Sequence, residues 1–504
     1  MTAMDVVSDR PAAPALRRER IVVAAIVVLV VVARSAVFVF WPHAQFDSDQ
    51  AVLGLMAKHL SEGRAFPLFM YGQNYILGVE AWMAAPVFLA AGVSVATLKL
   101  PLLAVNLATA LLLLMLLERD AGLRPALAGA AILPFVLPPP STAAMFVDAS
   151  GTSIEPFLYI PLLWATRRRP IVFGVIFAIG FLQREFTLFA PLALIVVAAA
   201  TGDLFARENR RRALTAAAAA AGVYAAVTMA KPYASAFGPD TSIAELHAPA
   251  NNLLDLVRRT CVDLGTFADG VARFLSVHWG RLLGTSPAPL WEFGIESRGS
   301  QGLPGLGFLL AAAMLFAVAR VAIATLGARR LRRDQPFCAY LTVVGLLTAG
   351  AVIVARCGAQ GPTRYALLSI YAVIGTSAWY LATERLRPAR NAWLAAMAIW
   401  ALVNSVEHGR LWVEYLSGAP VSAKQQIIDQ LEARHIQYAT ADYWLSYYIS
   451  FLTRESIIVT PNDFPRIGIH IRAVQAHQSE AVRIARTPCA GGEEVVAGVY
   501  FCRP

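Results

Sequence analysis

The sequence has little charge for its length. Asp, Glu, Lys and Arg make up 15% of its 504 residues, whereas about a quarter of the residues of a soluble globular protein are charged. Hydrophobic residues account for 57% and the mean hydropathy is +0.56. Long apolar runs separate short basic clusters. This composition argues against a soluble globular protein and is typical of a polytopic membrane protein.

Several motifs that carry chemistry are missing. The sequence has no Walker motif, no GxGxxG and no zinc-ligand spacing, and Cys261, Cys338 and Cys357 form no metal-binding pattern. Neither nucleotide binding nor a zinc site is therefore indicated. The net charge of +10 comes from Lys and Arg concentrated between apolar runs, as in cytoplasmic loops. We therefore expect no nucleic-acid partner.

The apolar runs predict about eleven transmembrane helices. The clusters RRR (167–169) and RENRRR (207–212) are both typical of cytoplasmic loops, so an even number of spans should separate them. Two short helices joined at QRE (183–185) satisfy that condition. The predicted spans are residues 21–41, 98–117, 125–138, 152–166, 170–182, 186–201, 213–230, 303–326, 336–355, 365–382 and 391–406.

The basic clusters also predict the orientation of the chain. Residues 1–20 are expected in the cytoplasm and residues 21–406 in the transmembrane domain. Three longer segments then lie outside: 42–97, 231–302 and 407–504. The first apolar run follows basic residues, as a signal peptide does, but it lacks a small-residue cleavage site, so we interpret it as a retained span.

Residues 407–504 differ in composition from the rest of the chain. They are polar and of mixed charge, with strand-like runs at 456–460 and 495–501, which predicts a small α/β domain on the outer face. Cys489 and Cys502 both lie in it. An oxidising exterior favours a disulfide between them, and the alternative is two free buried thiols.

The first outer loop opens with two carboxylates. Asp47 and Asp49 follow the first span, and the apolar positions of AVLGLMAKHL (51–60) recur at helical spacing, which predicts a helix lying along the membrane interface. A second apolar helix is expected to begin near Tyr75. Acidic residues are also favoured at a helix N-terminus, so a capping role for the pair stays open.

This loop resembles that of a known family. The order of acidic pair, interfacial helix, HLxEG and FxYGQNYxxGxE over residues 46–80 is similar to the GT-C fold glycosyltransferases that use polyprenyl-phosphate sugars, namely bacterial relatives of protein O-mannosyltransferases and of the lipid A aminoarabinose transferase. The resemblance extends more generally over residues 20–385. It implies a multi-pass protein of the bacterial plasma membrane with an extracytoplasmic active site.

The resemblance also implies roles for the acidic pair. The family uses an aspartate of this loop as catalytic base, which implies Asp49 as the base and Asp47 as a group that orients it. The family's second acidic residue is replaced here by Gln50. No cofactor is therefore certain, although a divalent cation (Mg²⁺ or Mn²⁺) held by Asp47 and Asp49 is compatible with the sequence.

The expected reaction is transfer of a sugar from a polyprenyl-phosphate carrier to an acceptor hydroxyl of a glycan, lipid or protein. A carboxylate takes the hydroxyl proton, and cationic side chains stabilise the departing phosphate. A single displacement inverts the anomeric carbon. Arg364 and Tyr365 begin a late span, and Arg184 and Glu185 lie at an outer turn, so all four are candidates for donor binding; the alternative for each arginine is a side chain that snorkels to the interface.

Further residues are secondary candidates. Contact with the sugar or the acceptor is predicted for Lys58, Gln73, Asn74, Tyr75 and Glu80, and more weakly for Asp148 and Glu155, which flank residues 151–153. His59 is expected to pack rather than to catalyse. Asp255, Asp263 and Asp269 suit a solvated helical face.

Two other functions remain compatible with the sequence. One is a multispan transporter or flippase for a lipid-linked saccharide, although internal repeats, which such proteins often contain, are absent from the sequence. The other is a scaffold subunit whose outer domain binds a partner. The transferase predicts that Asp49 is essential for turnover, whereas a transporter would tolerate its replacement.

Overall fold

The structure, a computed structural model, describes a mainly helical chain. The described residues are 13–150, 154–231, 264–292, 295–300, 302–327, 335–354 and 363–503. Within these ranges six helical segments are long and apolar enough to cross a membrane: Pro14–Phe40, Val95–Asp120, Arg207–Ala230, Gly305–Ile323, Pro336–Val354 and Thr363–Thr383. The protein is therefore a multi-pass membrane protein, as the composition predicts.

The helices fall into a membrane part and a C-terminal part. In the described ranges the first are α1 (Ala13–Phe40), α2 (Ser48–Ser61), α3 (Val79–Ala91), α4 (Val95–Asp120), α5 (Pro125–Ala131), α6 (Leu133–Val136), α7 (Pro140–Met145), α8 (Glu155–Thr166), α9 (Pro170–Gln183), α10 (Phe189–Thr201) and α11 (Arg207–Ala230). They are followed by α12 (Phe267–Arg273), α13 (Gly280–Leu282), α14 (Pro304–Gly327), α15 (Pro336–Val354), α16 (Ile370–Thr383), α17 (Arg387–Gly418), α18 (Ala423–Ala433), α19 (Tyr443–Leu452) and α20 (Gly468–Ala476). Short 3₁₀ or π turns cover Glu185–Leu188, Leu264–Thr266, Phe274–Trp279 and Thr363–Ser369.

The prediction of eleven spans is not confirmed. The predicted span 125–138 is divided between α5 and α6, with Pro134 at the start of the second helix, because proline cannot donate the backbone hydrogen bond that a continuous helix needs. The predicted span 391–406 lies inside the longer helix α17, which also continues past the predicted domain boundary at 407. The predicted pair at 170–201 is present as α9 and α10, two short apolar helices.

The first outer loop contains the predicted interfacial helix and an unpredicted hairpin. Helix α2 follows Asp47 as expected, but the second helix begins at Val79 rather than near Tyr75. The antiparallel strands β1 (Phe69–Met70) and β2 (Gln73–Leu77) occupy the intervening segment. The turn between them is possible because Gly72 has a φ of +70°, a conformation that glycine adopts without steric cost.

The C-terminal part is the small α/β domain that the sequence predicts. Its five-stranded sheet has the order β6-β5-β7-β9-β8. These strands are β5 (Tyr438–Ala441), β6 (Ile458–Pro461), β7 (Val482–Ala485), β8 (Glu493–Val496) and β9 (Val499–Cys502), while β3 (Ala288–Glu292) and β4 (Ile295–Ser300) form a separate hairpin. Pairing is parallel among β6, β5 and β7 and antiparallel among β7, β9 and β8. The predicted disulfide between Cys489 and Cys502 is present.

The C-terminal domain packs directly on the first outer loop. Helix α19 lies against α2, and the two share one hydrophobic core. The contact is close because Gly54 has no side chain: a Cβ there would lie 2.5 Å from the ring of Phe451. The domain is thereby held over the N-terminal end of α2, where the acidic pair lies.

Candidate active site

The acidic pair is positioned by the start of α2. Asp47 is the N-cap, and its Oδ1 accepts a hydrogen bond from the backbone N–H of Gln50 at 3.0 Å. Asp49 lies in the first turn of the helix. The capping role that the sequence allowed is therefore present for Asp47, and it leaves the carboxylate of Asp49 available for other partners.

Asp49 is surrounded by hydrogen-bond donors and cations from three distant parts of the chain. Its Oδ1 accepts a 2.6 Å hydrogen bond from the hydroxyl of Tyr443 and a 3.2 Å bond from Nη2 of Arg466. Nη1 of Arg364 lies 3.6 Å from its Oδ2. Asp49 is 8% exposed, so these charge-assisted contacts are shielded from water and are stronger than they would be on a surface.

Arg466 is held in place by the C-terminal domain and by the hairpin of the first outer loop. Its backbone N–H donates to the hydroxyl of Tyr447 at 2.5 Å, and its guanidinium lies over the ring of Tyr443 at 4.9 Å. A Cβ on Gly72 would lie 2.8 Å from Cγ of Arg466. The glycine of the YGQN motif thus provides both the turn and the space that Arg466 occupies.

Gln50 has a structural role that explains its place in the acidic motif. Its side-chain amide nitrogen donates to the backbone oxygen of Gln45 at 3.1 Å, and its Oε1 accepts from the backbone N–H of Ala149 at 3.3 Å. The residue is fully buried. An ionised glutamate could not donate the first of these bonds, so the amide joins two outer loops where the family has an acid.

A second polar group lies beside the acidic pair. Burial and the neighbouring carboxylate of Asp49 raise the pKa of Asp47. Burial also raises the pKa of Asp148 to about 7, against the opposing charge of Lys99. The ammonium group of Lys99 is fully buried and donates to the backbone oxygen of Gln45 at 2.8 Å. Asp148, a weak candidate from sequence, is therefore close enough to Asp47 to interact with it electrostatically.

The two predicted arginine turns are neighbours. Arg364 and Tyr365 lie in the turn Thr363–Ser369, and the guanidinium of Arg364 is 5.6 Å from the ring centroid of Tyr365. The ring of Phe186, which follows Arg184 and Glu185, contacts Tyr365 edge to face at 6.0 Å. Arg184 and Glu185 are partly buried, and their turn adjoins the turn that carries Arg364.

Glu80 and Glu155 form a separate buried group. Their carboxyl groups share a hydrogen bond, and the side chain of Gln183 also reaches Glu155. The hydroxyl of Tyr159 donates to Oε1 of Gln183 at 2.5 Å. Glu80 is 2% and Glu155 3% exposed. Because Gln183 directly precedes Arg184, this group lies beside the first arginine turn.

Other candidates lie elsewhere. Lys58 forms ion pairs with Glu62 at 2.9 Å and Glu455 at 2.6 Å, nine residues along α2 from Asp49, or about 14 Å at 1.5 Å per residue. It is therefore not near the acidic pair. Gln73 is partly buried in β2, Asp269 is exposed, and the buried His59 contacts Tyr71 and Glu455. The side chains of Asn74 and Tyr75, residues 151–153, Asp255 and Asp263 lie outside the described residues.

Sequence reasoning missed three residues of the site. Tyr443 and Arg466 belong to the C-terminal domain, which had been assigned no part in the site, and neither stands in a recognisable motif. Lys99 did carry a signal, because it is a lone cation near the beginning of the apolar run 98–117, and a buried charge in such a run is a functional-site candidate by default.

Comparison with known proteins identifies the fold. The chain aligns with the archaeal oligosaccharyltransferase AglB from Archaeoglobus fulgidus, solved in complex with an inhibitory peptide and a dolichol-phosphate, with a TM-score of 0.51, 12% identity, and coverage of 93% of this chain and 69% of AglB. ArnT from Cupriavidus metallidurans bound to undecaprenyl phosphate aligns with a TM-score of 0.43, 11% identity, and coverage of 97% and 98%. No family model and no curated protein matches the sequence. The similarity to AglB shows that this chain has the GT-C fold that its first outer loop predicts.

Proposed function

We propose that this protein is a membrane glycosyltransferase that moves a sugar from a polyprenyl-phosphate carrier to an acceptor hydroxyl. The observation that carries the proposal is a buried aspartate, Asp49, in contact with two arginines and a tyrosine at the start of the interfacial helix. The fold supports it, because AglB shares the fold and its solved structure is in complex with a dolichol-phosphate, a polyprenyl phosphate of the class proposed here for the donor.

Asp49 is proposed as the general base. Its Oδ1 already accepts hydrogen bonds from Tyr443 and Arg466, whereas its Oδ2 has Arg364 at 3.6 Å, which is longer than a hydrogen bond. Oδ2 is therefore the oxygen proposed to take the proton of the acceptor hydroxyl. As the new bond to the anomeric carbon forms, the bond to the phosphate oxygen breaks and the configuration inverts.

The arginines are proposed to stabilise the leaving group. A phosphate that departs gains negative charge, and a guanidinium suits it through its planar set of N–H donors. Arg364 is proposed to contact the phosphate, with Arg184, Glu185 and Tyr365 of the adjoining turns around the donor. Gln73, Tyr75 and Glu80 stay proposals for the sugar or the acceptor. Lys58 is no longer proposed, because Glu62 and Glu455 bind it at the other end of α2.

A divalent cation at Asp47 and Asp49 stays a prediction on which no step of the proposed reaction depends. Among the described residues, the three-residue group of His, Cys, Asp or Glu ligand atoms that converges within 4.8 Å contains neither aspartate. Arg364 and Arg466 bring positive charge to Asp49. The present arrangement therefore suits an ion-paired carboxylate better than a metal-bound one.

The extracytoplasmic face of a bacterial plasma membrane is proposed as the location of the site. The basic loops support this orientation. The disulfide between Cys489 and Cys502 supports it independently, since disulfides persist on the oxidising side of a membrane, and the domain that contains it supplies Tyr443 and Arg466 to the site.

The decisive experiment measures turnover by the purified full-length protein with a panel of polyprenyl-phosphate sugars, with and without EDTA. We expect turnover with at least one donor, and its loss in Asp49→Asn while donor binding and folding persist. Asp429→Asn, an exposed aspartate on α18, is the matched control.

Two outcomes would contradict the proposal. One is a folded protein that turns over none of the donors. The other is an Asp49→Asn variant that matches the wild type. Movement of lipid-linked sugar across vesicles that survives this substitution, without sugar transfer, would instead indicate a flippase.

A further inference from the structure

Three side chains that can bind a metal converge at the other end of α2. Oε1 of Glu455 lies 2.8 Å from Nε2 of His59 and 2.7 Å from Nε2 of His470. These three atoms are within 4.8 Å of one another. His59 is on α2, Glu455 follows α19 and His470 is on α20, so the group joins the first outer loop to the C-terminal domain.

We propose that His59, Glu455 and His470 bind a divalent transition-metal cation of the zinc class. Two imidazoles and one carboxylate are a common zinc donor set. At metal–ligand distances of about 2.0–2.1 Å, tetrahedral ligand atoms are about 3.3 Å apart. The two observed separations of 2.7 and 2.8 Å are those of hydrogen bonds, so each ligand atom needs to move by only about 0.5 Å to admit the cation.

The surroundings orient the three ligands. The hydroxyl of Tyr71 is 3.0 Å from Nδ1 of His59, the type of contact that fixes the tautomer of a metal-binding histidine. Lys58 and Arg64 contact the other carboxylate oxygen of Glu455, Oε2, at 2.6 and 2.9 Å. They hold the carboxylate with Oε1 towards the two imidazoles, as outer partners of metal-ligating carboxylates do.

The local charge balance permits a cation. Lys58 and Arg64 are balanced by Glu62 and Glu455, which they contact, so the group is neutral when both histidines are neutral. Burial lowers the pKa of His470, which keeps its imidazole in the neutral form that a metal requires. His59 is 0% and His470 1% exposed, so a cation bound here would be largely shielded from water.

The position of the site indicates what the cation would do. Asp49 lies at the start of the helix that ends near His59, and Arg466 lies four residues before His470. A cation that binds both histidines would therefore fix the two segments that carry the ion pair between Asp49 and Arg466. This consequence rests on the proposed transferase function, whereas the metal site itself does not.

The test measures metal binding without any sugar donor. The full-length protein in detergent is treated with EDTA, dialysed, and titrated with Zn²⁺ and with Co²⁺ as a spectroscopic probe. We expect one ion per chain, a visible Co²⁺ spectrum typical of tetrahedral coordination, and a higher unfolding temperature with Zn²⁺. His470→Gln and Glu455→Gln should each weaken binding at least 100-fold.

The controls separate this site from adventitious binding. His477→Gln changes a partly buried histidine just after α20, outside the group, and should bind as the wild type does. Tyr71→Phe keeps all three ligands and should weaken binding about 10-fold or more through the outer contact, so the proposal stays testable if a ligand variant fails to fold. Absence of binding by the wild type, or equal binding by His470→Gln and the wild type, would overturn the proposal without affecting the transferase.

Discussion

Arg466 donates a 3.2 Å hydrogen bond to Asp49 across 417 residues of sequence. The arginine belongs to the C-terminal domain and the aspartate to the first outer loop. The tail of the chain therefore completes the candidate active site. The arrangement predicts that changes in this domain reduce the chemical step itself, rather than only folding or partner binding.

Arg466→Ala is expected to lower kcat about 10²- to 10³-fold, the usual effect of removing one preorganised donor from an active site. Arg466→Lys should recover only part of the loss, because an ammonium group lacks the planar donor geometry of a guanidinium. Steady-state turnover with the donor identified above is the measurement. Arg483→Ala, an exposed arginine on β7, is the control. Equal activity of Arg466→Ala and the wild type would show that this contact is only structural.

Gly72→Ala is expected to reduce both stability and activity. The residue has a φ of +70°, and a left-handed conformation costs a non-glycine residue about 1–2 kcal/mol. The new Cβ would also lie 2.8 Å from Cγ and 3.1 Å from Cα of Arg466, which would displace the arginine from Asp49. Unfolding temperature and kcat together measure the two effects.

Gly63→Ala is a matched control for this substitution. Gly63 has a similar φ of +66°, but nothing lies within 4 Å of the position that a Cβ would take. It should therefore lose a similar amount of stability and keep its activity. If both variants kept full activity, Gly72 would have no part in positioning Arg466.

Asp148 predicts a pH dependence of stability. Its pKa is raised to about 7, above the value of about 3.9 of an unfolded aspartate, so the folded state binds more protons between these values. Stability should therefore fall as the pH rises from about 4 to about 7. Asp148→Asn should remove this part of the dependence, which unfolding midpoints from pH 4 to pH 9 would reveal. Parallel curves for the two proteins would contradict the prediction.

The disulfide between Cys489 and Cys502 should stabilise the C-terminal domain. It closes a loop over a sequence separation of 13 residues, for which loop entropy gives about 3 kcal/mol. Cys489→Ser with Cys502→Ser should therefore lower the unfolding midpoint and speed proteolysis of the domain in the full-length protein. A reducing agent should affect the wild type in the same way and leave the double variant unchanged. Cys338→Ser, at a buried free thiol, should leave the sensitivity to reductant intact.

The local features of the chain could be predicted because they depend on neighbours in sequence. Apolar length indicated the membrane segments, helical periodicity indicated α2, and the strand-like runs at 456–460 and 495–501 indicated a sheet. Span number was harder to predict. Pro134 and the polar residues of α17 interrupt or dilute apolar runs, and short buried helices have the same composition as membrane spans.

The sequence by itself determined that this protein is a multi-pass membrane protein with an acidic pair at the start of an interfacial helix, since hydropathy and capping are properties of consecutive residues. Only the tertiary structure decided which side chains meet that pair. Arg364, Tyr443 and Arg466 reach Asp49, and His470 and Glu455 reach His59, because α2 packs on the C-terminal domain. No periodicity or motif encodes such contacts, since they depend on how two distant apolar surfaces fit together.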